Sequence, residues 1–189
     1  MNIIKTDRLV IRQFRRSDAA ALNRVFGDAE VMRFGDGVQS AAWVQRWLDR
    51  CLETYRQTAG IGPWAVVEKR SVETMGYCGL FYFPDVGGQP ETEIGYRLAR
   101  AYWGRGYATE AARAVRDYAF DTLRLQRLIA MIDPQNGASI RVAEKLGMVY
   151  EKEVMFAGYT HPDRVYVIER EAGTSPPASR PPAGGARGG

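Results

Sequence analysis

The chain has 189 residues, of which 46% are hydrophobic and 25% charged, a composition typical of one globular domain. Its formal net charge is +4, and two of these charges, Arg180 and Arg187, lie in the last seventeen residues, so the excess is too small to indicate a nucleic-acid-binding surface. No apolar run is long enough to span a membrane, and the N-terminus lacks the layout of a signal peptide, so we expect a cytoplasmic protein with no membrane partner.

The first half of the chain predicts strands separated by two helices. Ser17 or Asp18 can cap the first helix, and Ser40 can cap the second. The apolar side chains of the second helix share one face and predict a core contact: Trp43, Val44, Trp47, Leu48, Cys51 and Tyr55. Alternating or apolar runs bounded by turn residues predict strands at residues 8–14, 64–68 and 75–83.

The second half predicts a strand–helix–strand unit. A strand at residues 92–99 contains Gly95, which suggests a bulge or a close backbone approach. A helix with an apolar stripe follows, then a buried strand at 127–132, and this crossover length makes the two strands parallel. A further helix and two strands are predicted at 139–146, 150–156 and 164–168. The sum is an α/β (α+β) domain with a central mixed, mostly antiparallel sheet flanked by helices.

The segment YWGRGYATEA, residues 102–111, places two glycines directly before a helix. Backbone amides at a helix N-terminus have no partner within the helix, and glycine lets a phosphate approach them. The segment lacks the Lys-Ser/Thr pair of a P-loop and does not meet the pattern of a dinucleotide fingerprint. Two interpretations remain, a phosphate cradle and a tight turn that needs glycine only for its dihedral angles.

The surrounding motifs resemble the GNAT superfamily of acetyl-CoA-dependent N-acetyltransferases, and most closely its RimJ/RimL-like branch. EIGY, WGRGYATEA, N-x-x-S and EKLG occur in that order after the opening TDRLVIRQFRRSDA. Gly106 and Ala108 match the last two positions of the family's phosphate loop, while Trp103 stands at its leading Gln/Arg position. The resemblance covers residues 5–170. We therefore divide the chain into a GNAT domain, 1–172, and a disordered tail rich in Pro, Gly and Ala, 173–189.

The resemblance implies acetyl-CoA (coenzyme A) as the cofactor, and it implies where that cofactor binds. The two parallel strands splay apart to admit the thioester, and Asn136 contacts the pantetheine arm, although Asn136 also fits a plain helix N-cap. The strand end that pairs with pantetheine is formed by Leu98, Ala99 and Arg100. The amides that hold the pyrophosphate are those of Gly104, Arg105, Gly106, Tyr107, Ala108 and Thr109.

Acetyl transfer to an amine requires a base for the ammonium proton and is helped by an acid at the departing thiolate. By resemblance, Glu93 of the EIGY strand is the general base, with Glu91 in reserve. Many relatives carry a tyrosine just before the EK of the helix as the acid, but this chain has Ala143 there. The resemblance to the RimL-like branch, in which a serine of this kind is proposed as the acid, implies Ser139 for that role, although Ser139 also fits a helix-start residue that bonds to the backbone.

Three other side chains remain candidates for proton transfer. Tyr150 and Tyr159 are alternatives for the acid. His161, the only histidine, lies in a loop that borders the acceptor site in relatives, and a side chain with its pKa near neutral could accept a proton. We predict no metal site, because Cys51 and Cys78 share no metal-ligand spacing with each other or with the histidine.

The resemblance predicts an N-acetyltransferase that acts on a primary amine, as a monomer or homodimer. The branch includes enzymes for protein N-termini, small-molecule amines and aminoglycoside-type compounds. The segment RFGDGVQ, residues 33–39, would help to choose among these acceptors, and its Asp36 could attract a cationic amine. The alternative function is a non-catalytic acyl-CoA-binding or sensing module that keeps the phosphate loop without turnover.

Overall fold

The computed structural model describes residues 1–57, 60–157 and 159–170. The tail predicted at 173–189 lies outside these residues. The strands are β1 Asn2–Lys5, β2 Leu9–Arg12, β3 Pro63–Glu68, β4 Thr74–Phe83, β5 Glu91–Leu98, β6 Arg127–Ile132, β7 Val149–Val154 and β8 Asp163–Glu169. The α-helices are α1 Ala19–Phe26, α2 Ala41–Gln57, α3 Tyr107–Asp121 and α4 Gly137–Lys145, and short 3-10 turns lie at Arg16–Asp18 and Arg100–Tyr102.

The strands form one mixed sheet in the order β1-β2-β3-β4-β5-β6-β8-β7. Every neighbouring pair is antiparallel except β5 and β6, which α3 joins as a crossover connection. The predicted sheet class and the single parallel pair are therefore confirmed. No helix within the described part of the chain combines the length and apolar character needed to cross a membrane.

The core has two main parts, one on each face of the sheet. On one face the stripe of α3, including Ala111, Ala112 and Val115, packs with α4 residues against the central strands. On the other face α1 and α2 pack through a cluster that contains Phe26 and Leu48. Because side chains alternate along β5, its successive residues project to these two different environments.

Three details differ from the sequence predictions. Strand β1 was missed, because four residues at the sheet edge with a half-exposed pattern carry little signal. Asp18 precedes α1 as predicted, but its carboxylate does not cap the helix and instead forms a buried ion pair with Arg12 at 2.8 Å. Gly95 lies in a continuous register without a bulge, and the neighbour that excludes a side chain there is the ring of Phe81, 2.9 Å from an added Cβ.

Candidate active site

The loop before α3 has the backbone that a phosphate cradle requires. Gly104 and Gly106 have φ angles of +72° and +80°, in the left-handed region, and a Cβ added at Gly104 would meet nothing within 4 Å. No acceptor for the backbone N–H groups from Gly104 to Thr109 occurs among the residues described by the structure. Six amides at the start of a 15-residue helix are thus free to bind an anion.

An arginine immediately before β2 supports this loop, and sequence reasoning missed it. The guanidinium of Arg8 donates to the carbonyl oxygen of Arg105 at 3.0 Å, forms an ion pair with Glu110 at 2.6 Å, and lies 4.4 Å from the centre of the Tyr107 ring. Thr6 also donates to Glu110, at 2.5 Å. The opening motif that carried the family resemblance therefore has a structural reason, because it anchors the first turn of α3.

The parallel strands β5 and β6 pair at one position only, Glu93 with Ile129, so a gap opens beyond that point. Along an antiparallel pair of strands, every second residue directs its backbone N–H and C=O groups toward the neighbouring strand. Ala99 N donates to Met75 O, so the residues of β5 that face β4 in this way are Ala99, Arg97 and Gly95. The N–H and C=O groups of Tyr96 and Leu98 therefore face the gap. The indole of Trp103 already donates to the Leu98 carbonyl at 2.8 Å, which leaves Tyr96 with both groups open.

This register refines where a pantetheine arm could pair with β5. The Ala99 amide is occupied by β4, while Arg100 begins a 3-10 turn and its guanidinium lies 3.3 Å from Asp28. The end of β5 therefore offers fewer free groups than expected, and more of the free groups lie at Tyr96. No signal in the sequence revealed this, because strand register depends on long-range pairing.

The side chain of Glu93 lies in the gap. Its Oε1 accepts a hydrogen bond from Met131 N at 3.1 Å, which leaves Oε2 without a partner in the described part of the chain. Burial raises the pKa of the Glu93 carboxyl from 4.5 to about 7; the Met131 amide opposes this rise, and the nearby Asp163 adds to it. A carboxyl whose pKa lies near neutrality exchanges protons readily at physiological pH.

Glu91, the reserve base, is held elsewhere. Its buried carboxylate accepts from Arg127 Nε at 3.0 and 3.2 Å and from Gln89. Arg127 also pairs with Glu151 at 2.7 Å. An ion-paired carboxylate of this kind favours a structural role over proton transfer.

On the opposite face of β5, the start of α4 brings a second polar group to the gap. Asn136 Oδ1 accepts a hydrogen bond from Ser139 N at 3.1 Å, so Asn136 caps the helix, as the simpler interpretation predicted. The helix begins at Gly137, two residues before the predicted start. The side chain of Ser139 lies beside the phenol of Tyr96, a residue that sequence reasoning did not single out. Ala143 is buried one turn further along the helix.

A cavity of about 270 Å³ lies on the Glu93 face of the sheet. Residues 33–36 form one wall and residues 159–161 with Asp163 form the other, with Asp133 between them. Arg97, four positions after Glu93 on the same face, lies against Gly35 of the first wall, where an added Cβ would be 2.7 Å from its Nη2. Asp163 of the other wall is near enough to Glu93 to raise the pKa of that carboxyl. The cavity therefore borders the gap.

Three carboxylates and one arginine, Arg33, line this cavity, so its charge is negative on balance. Its carboxylates are Asp36, Asp133 and Asp163, and burial raises the pKa of Asp163. His161 Nε2 lies 3.2 Å from Asp133 Oδ2, so the histidine is held by a carboxylate in this wall. Tyr159 also lines the cavity, with its hydroxyl 3.5 Å from Asp36, whereas the exposed Tyr150 packs edge-on against Tyr166 on the outer strands.

Comparison with known proteins gives the same result from the sequence and from the structure. Residues 8–149 match the family model described as an acetyltransferase (GNAT) domain. The chain is 41% identical over 154 residues to the uncharacterized protein YkkB of Bacillus subtilis (strain 168), covering 79% of this chain and 86% of that protein. It is 31% identical over 165 residues to the uncharacterized N-acetyltransferase p20 of Bacillus licheniformis, covering 84% and 88%.

More distant similarities cover most of the chain. The spermidine N(1)-acetyltransferase of Escherichia coli (strain K12) is 26% identical over 77% of this chain and 75% of its own length. The crystal structure of a GNAT-family acetyltransferase from Bacillus anthracis superposes with a TM-score of 0.74 at 29% identity, covering 88% of this chain and 97% of that one. RimL, a ribosomal L7/L12 alpha-N-protein acetyltransferase in complex with coenzyme A, has a TM-score of 0.74 at 16% identity over 89% and 98%, a similarity of fold alone.

Proposed function

The chain belongs to the GNAT acetyltransferase family, and from that premise we propose that it transfers the acetyl group of acetyl-CoA to a cationic primary amine with Glu93 as the general base. The observation that carries the proposal is the half-buried Glu93 carboxylate in the gap between the two parallel strands. Membership of an enzyme family leaves the alternative of a non-catalytic binding module without support. The motif resemblance keeps the RimJ/RimL-like branch as part of the proposal.

The residues present fit acetyl-CoA. The open amides from Gly104 to Thr109, with Arg105 beside them, would hold the pyrophosphate, and no side chain fills the space above Gly104. The open N–H and C=O of Tyr96 would pair with the pantetheine arm, with Leu98 N–H next to them. When bound, acetyl-CoA supplies the acetyl group as an activated thioester.

Glu93 then acts through its free carboxylate oxygen. Oε1 remains bonded to Met131 N, so the carboxylate keeps a fixed orientation, and Oε2 accepts the proton of the incoming ammonium. Because the pKa of Glu93 is about 7, close to neutral pH, a large fraction of the enzyme holds the ionised carboxylate that this step needs. Ser139 is the polar group that we propose on the opposite face of β5 from Glu93, the side on which the thiolate departs.

The acidic cavity supports an amine that carries a second positive charge. Asp36 and Asp163 on opposite walls would attract the distal ammonium, while the reacting nitrogen approaches Glu93. The similarity to a spermidine N(1)-acetyltransferase adds weight to a polyamine acceptor. Peptide N-termini, the acceptor class of the RimL neighbour, are the second candidate.

The test is a panel of amines with release of free thiol as the readout. It includes spermidine, a diamine, a monoamine of equal length, an aminoglycoside and peptides with free N-termini. We expect the polyamines to give the highest kcat/KM. Asp36→Asn should raise KM for the diamine by about threefold or more, with little effect on the monoamine. Asp163→Asn should do the same, and it should also shift the acidic limb of the pH–rate profile to lower pH for both amines, because Asp163 raises the pKa of Glu93. The control Asp121→Asn on α3 should leave the kinetics of both amines unchanged. A monoamine or peptide preferred over every polyamine would contradict the acceptor class.

A further inference from the structure

The hydroxyl of Tyr96 is buried and has no hydrogen-bond partner of ordinary geometry within the described residues. Only one other side-chain polar atom, Asn23 Oδ1, shares this condition in that part of the chain. Folded proteins rarely leave such a group unpaired, since the lost hydration is not recovered. The Ser139 side chain is the polar group beside the Tyr96 hydroxyl, and the hydroxyl keeps the capacity to donate a hydrogen bond to a further molecule.

The surroundings of Tyr96 keep this hydroxyl protonated. Burial raises the pKa of the Tyr96 phenol, and the neighbouring Ser139 hydroxyl only partly offsets that rise. The ring packs against the core cluster that also contains Ile94, Leu98 and Ala143, so its direction is fixed by apolar contacts. The group is thus a rigid neutral donor over the whole physiological pH range.

Tyr96 also lies at the position of β5 that faces the gap. Its backbone N–H and C=O are open there, and its side chain is on the opposite face from Glu93, three residues earlier on the same strand. A thioester in the gap would therefore have the proposed base on one side and a phenol on the other. Fixed donors aimed at developing negative charge are an effective means of stabilising it.

We infer that the Tyr96 hydroxyl donates a hydrogen bond to the sulfur of bound coenzyme A, with Ser139 as the residue that positions the phenol. This inference rests on the proposed function, because it requires the coenzyme to bind in the gap. It assigns the stabilisation of the leaving thiolate to a strand residue and gives Ser139 a supporting role, so the helix serine need not itself contact the sulfur.

The test compares binding of two ligands by calorimetry, coenzyme A and its analogue in which hydrogen replaces the thiol group. Wild-type protein should prefer coenzyme A, increasingly so at alkaline pH, where the thiolate forms. Tyr96→Phe should lower that preference by about tenfold, the usual effect of losing a hydrogen bond to a charged group. Ser139→Ala should reduce it less, and Tyr118→Phe, a tyrosine of the same core cluster on α3, should leave it unchanged.

A second readout separates sulfur recognition from a structural role. The pKa of the bound thiol, followed by the ultraviolet absorbance of the thiolate, should rise in Tyr96→Phe relative to wild type. The melting temperature of the ligand-free variant should stay equal or rise, because an unpaired hydroxyl has been removed from the core.

The outcomes distinguish the two proposals. If wild-type protein binds neither ligand, the proposed function itself is wrong. If it binds both, and Tyr96→Phe and Ser139→Ala keep the wild-type preference and thiol pKa, the assignment of Tyr96 is overturned and the proposed function stands. A fall in the melting temperature of Tyr96→Phe with an unchanged preference would overturn the assignment in the same way.

Discussion

The proposed base can be tested before the acceptor amine is known, because a carboxyl with a raised pKa also makes folding depend on pH. The perturbation is Glu93→Gln, which keeps the shape and the acceptor oxygen for Met131 N but removes the titration. In the unfolded chain this carboxyl has a pKa of 4.5, and in the folded protein about 7. A difference of this size corresponds to roughly 3 kcal/mol of pH-dependent stability, at about 1.4 kcal/mol per pH unit.

The sign follows from which state binds the proton more tightly. Below pH 4.5 the carboxyl is protonated in both states, and its full stabilising contribution is present. As the pH rises, the unfolded chain ionises first, so this contribution is lost progressively until the pH passes about 7. The free energy of unfolding of Glu93→Gln minus that of wild type should therefore increase by roughly 3 kcal/mol between pH 4.5 and pH 8.

The assay is urea unfolding of both proteins at several pH values across this range, with the exposed Glu30→Gln as a control for removing a carboxylate. Glu30→Gln should follow the wild-type curve throughout. Parallel curves for Glu93→Gln and wild type would refute the reasoning, because they would mean that the Glu93 carboxyl is solvated like any surface group. Once the acceptor is identified, kcat of Glu93→Gln should fall about 10²- to 10⁴-fold, and the acidic limb of the wild-type pH–rate profile should disappear with the carboxyl.

Three further outcomes are expected. Gly106→Val should weaken acetyl-CoA binding at least about tenfold in calorimetry, because a branched side chain would stand over the amides; Gly88→Val, also at positive φ but in a remote loop, should bind normally. Asp18→Ala should lower the free energy of unfolding by about 3 kcal/mol in urea titration, since Arg12 would keep a buried, unpaired charge. Truncation after Ala172 should leave the melting temperature within error, and a drop of several degrees would show that the tail contributes to folding.

The local patterns were sufficient to predict most of the fold. Periodicity located the four helices and seven of the strands. It could do so because the apolar stripe of a helix and the alternation of a strand are both patterns among residues close together in sequence. The glycines of the phosphate loop could be identified for the same reason, because a positive φ angle favours glycine at that one position whatever the distant contacts are. The edge strand β1 was missed because its stability comes from pairing with β2, which no local pattern reports.

The site was only partly predictable, because its properties depend on which residues meet across the chain. The raised pKa of Glu93 requires its burial against β6, and the loss of Glu91 as a candidate requires its contact with Arg127, 36 positions away. The unpaired Tyr96 hydroxyl could not be predicted from the EIGY motif, because an aromatic residue on a strand is typical of an apolar core. The acidic cavity likewise joins two loops far apart in sequence.

The single rung between β5 and β6 also has a mechanical consequence. The eight strands behave as two smaller sheets, β1–β5 and β6–β8, which share one bridge at Glu93 and Ile129 and are otherwise tied through the helices above and below. Cooperativity across such a seam is weaker than across a full ladder, so the two halves are separate candidates for partial opening during hydrogen exchange. A ligand that pairs with the open backbone groups between β5 and β6 would take the place of a strand there. Such a ligand should make the two smaller sheets unfold together as one cooperative unit.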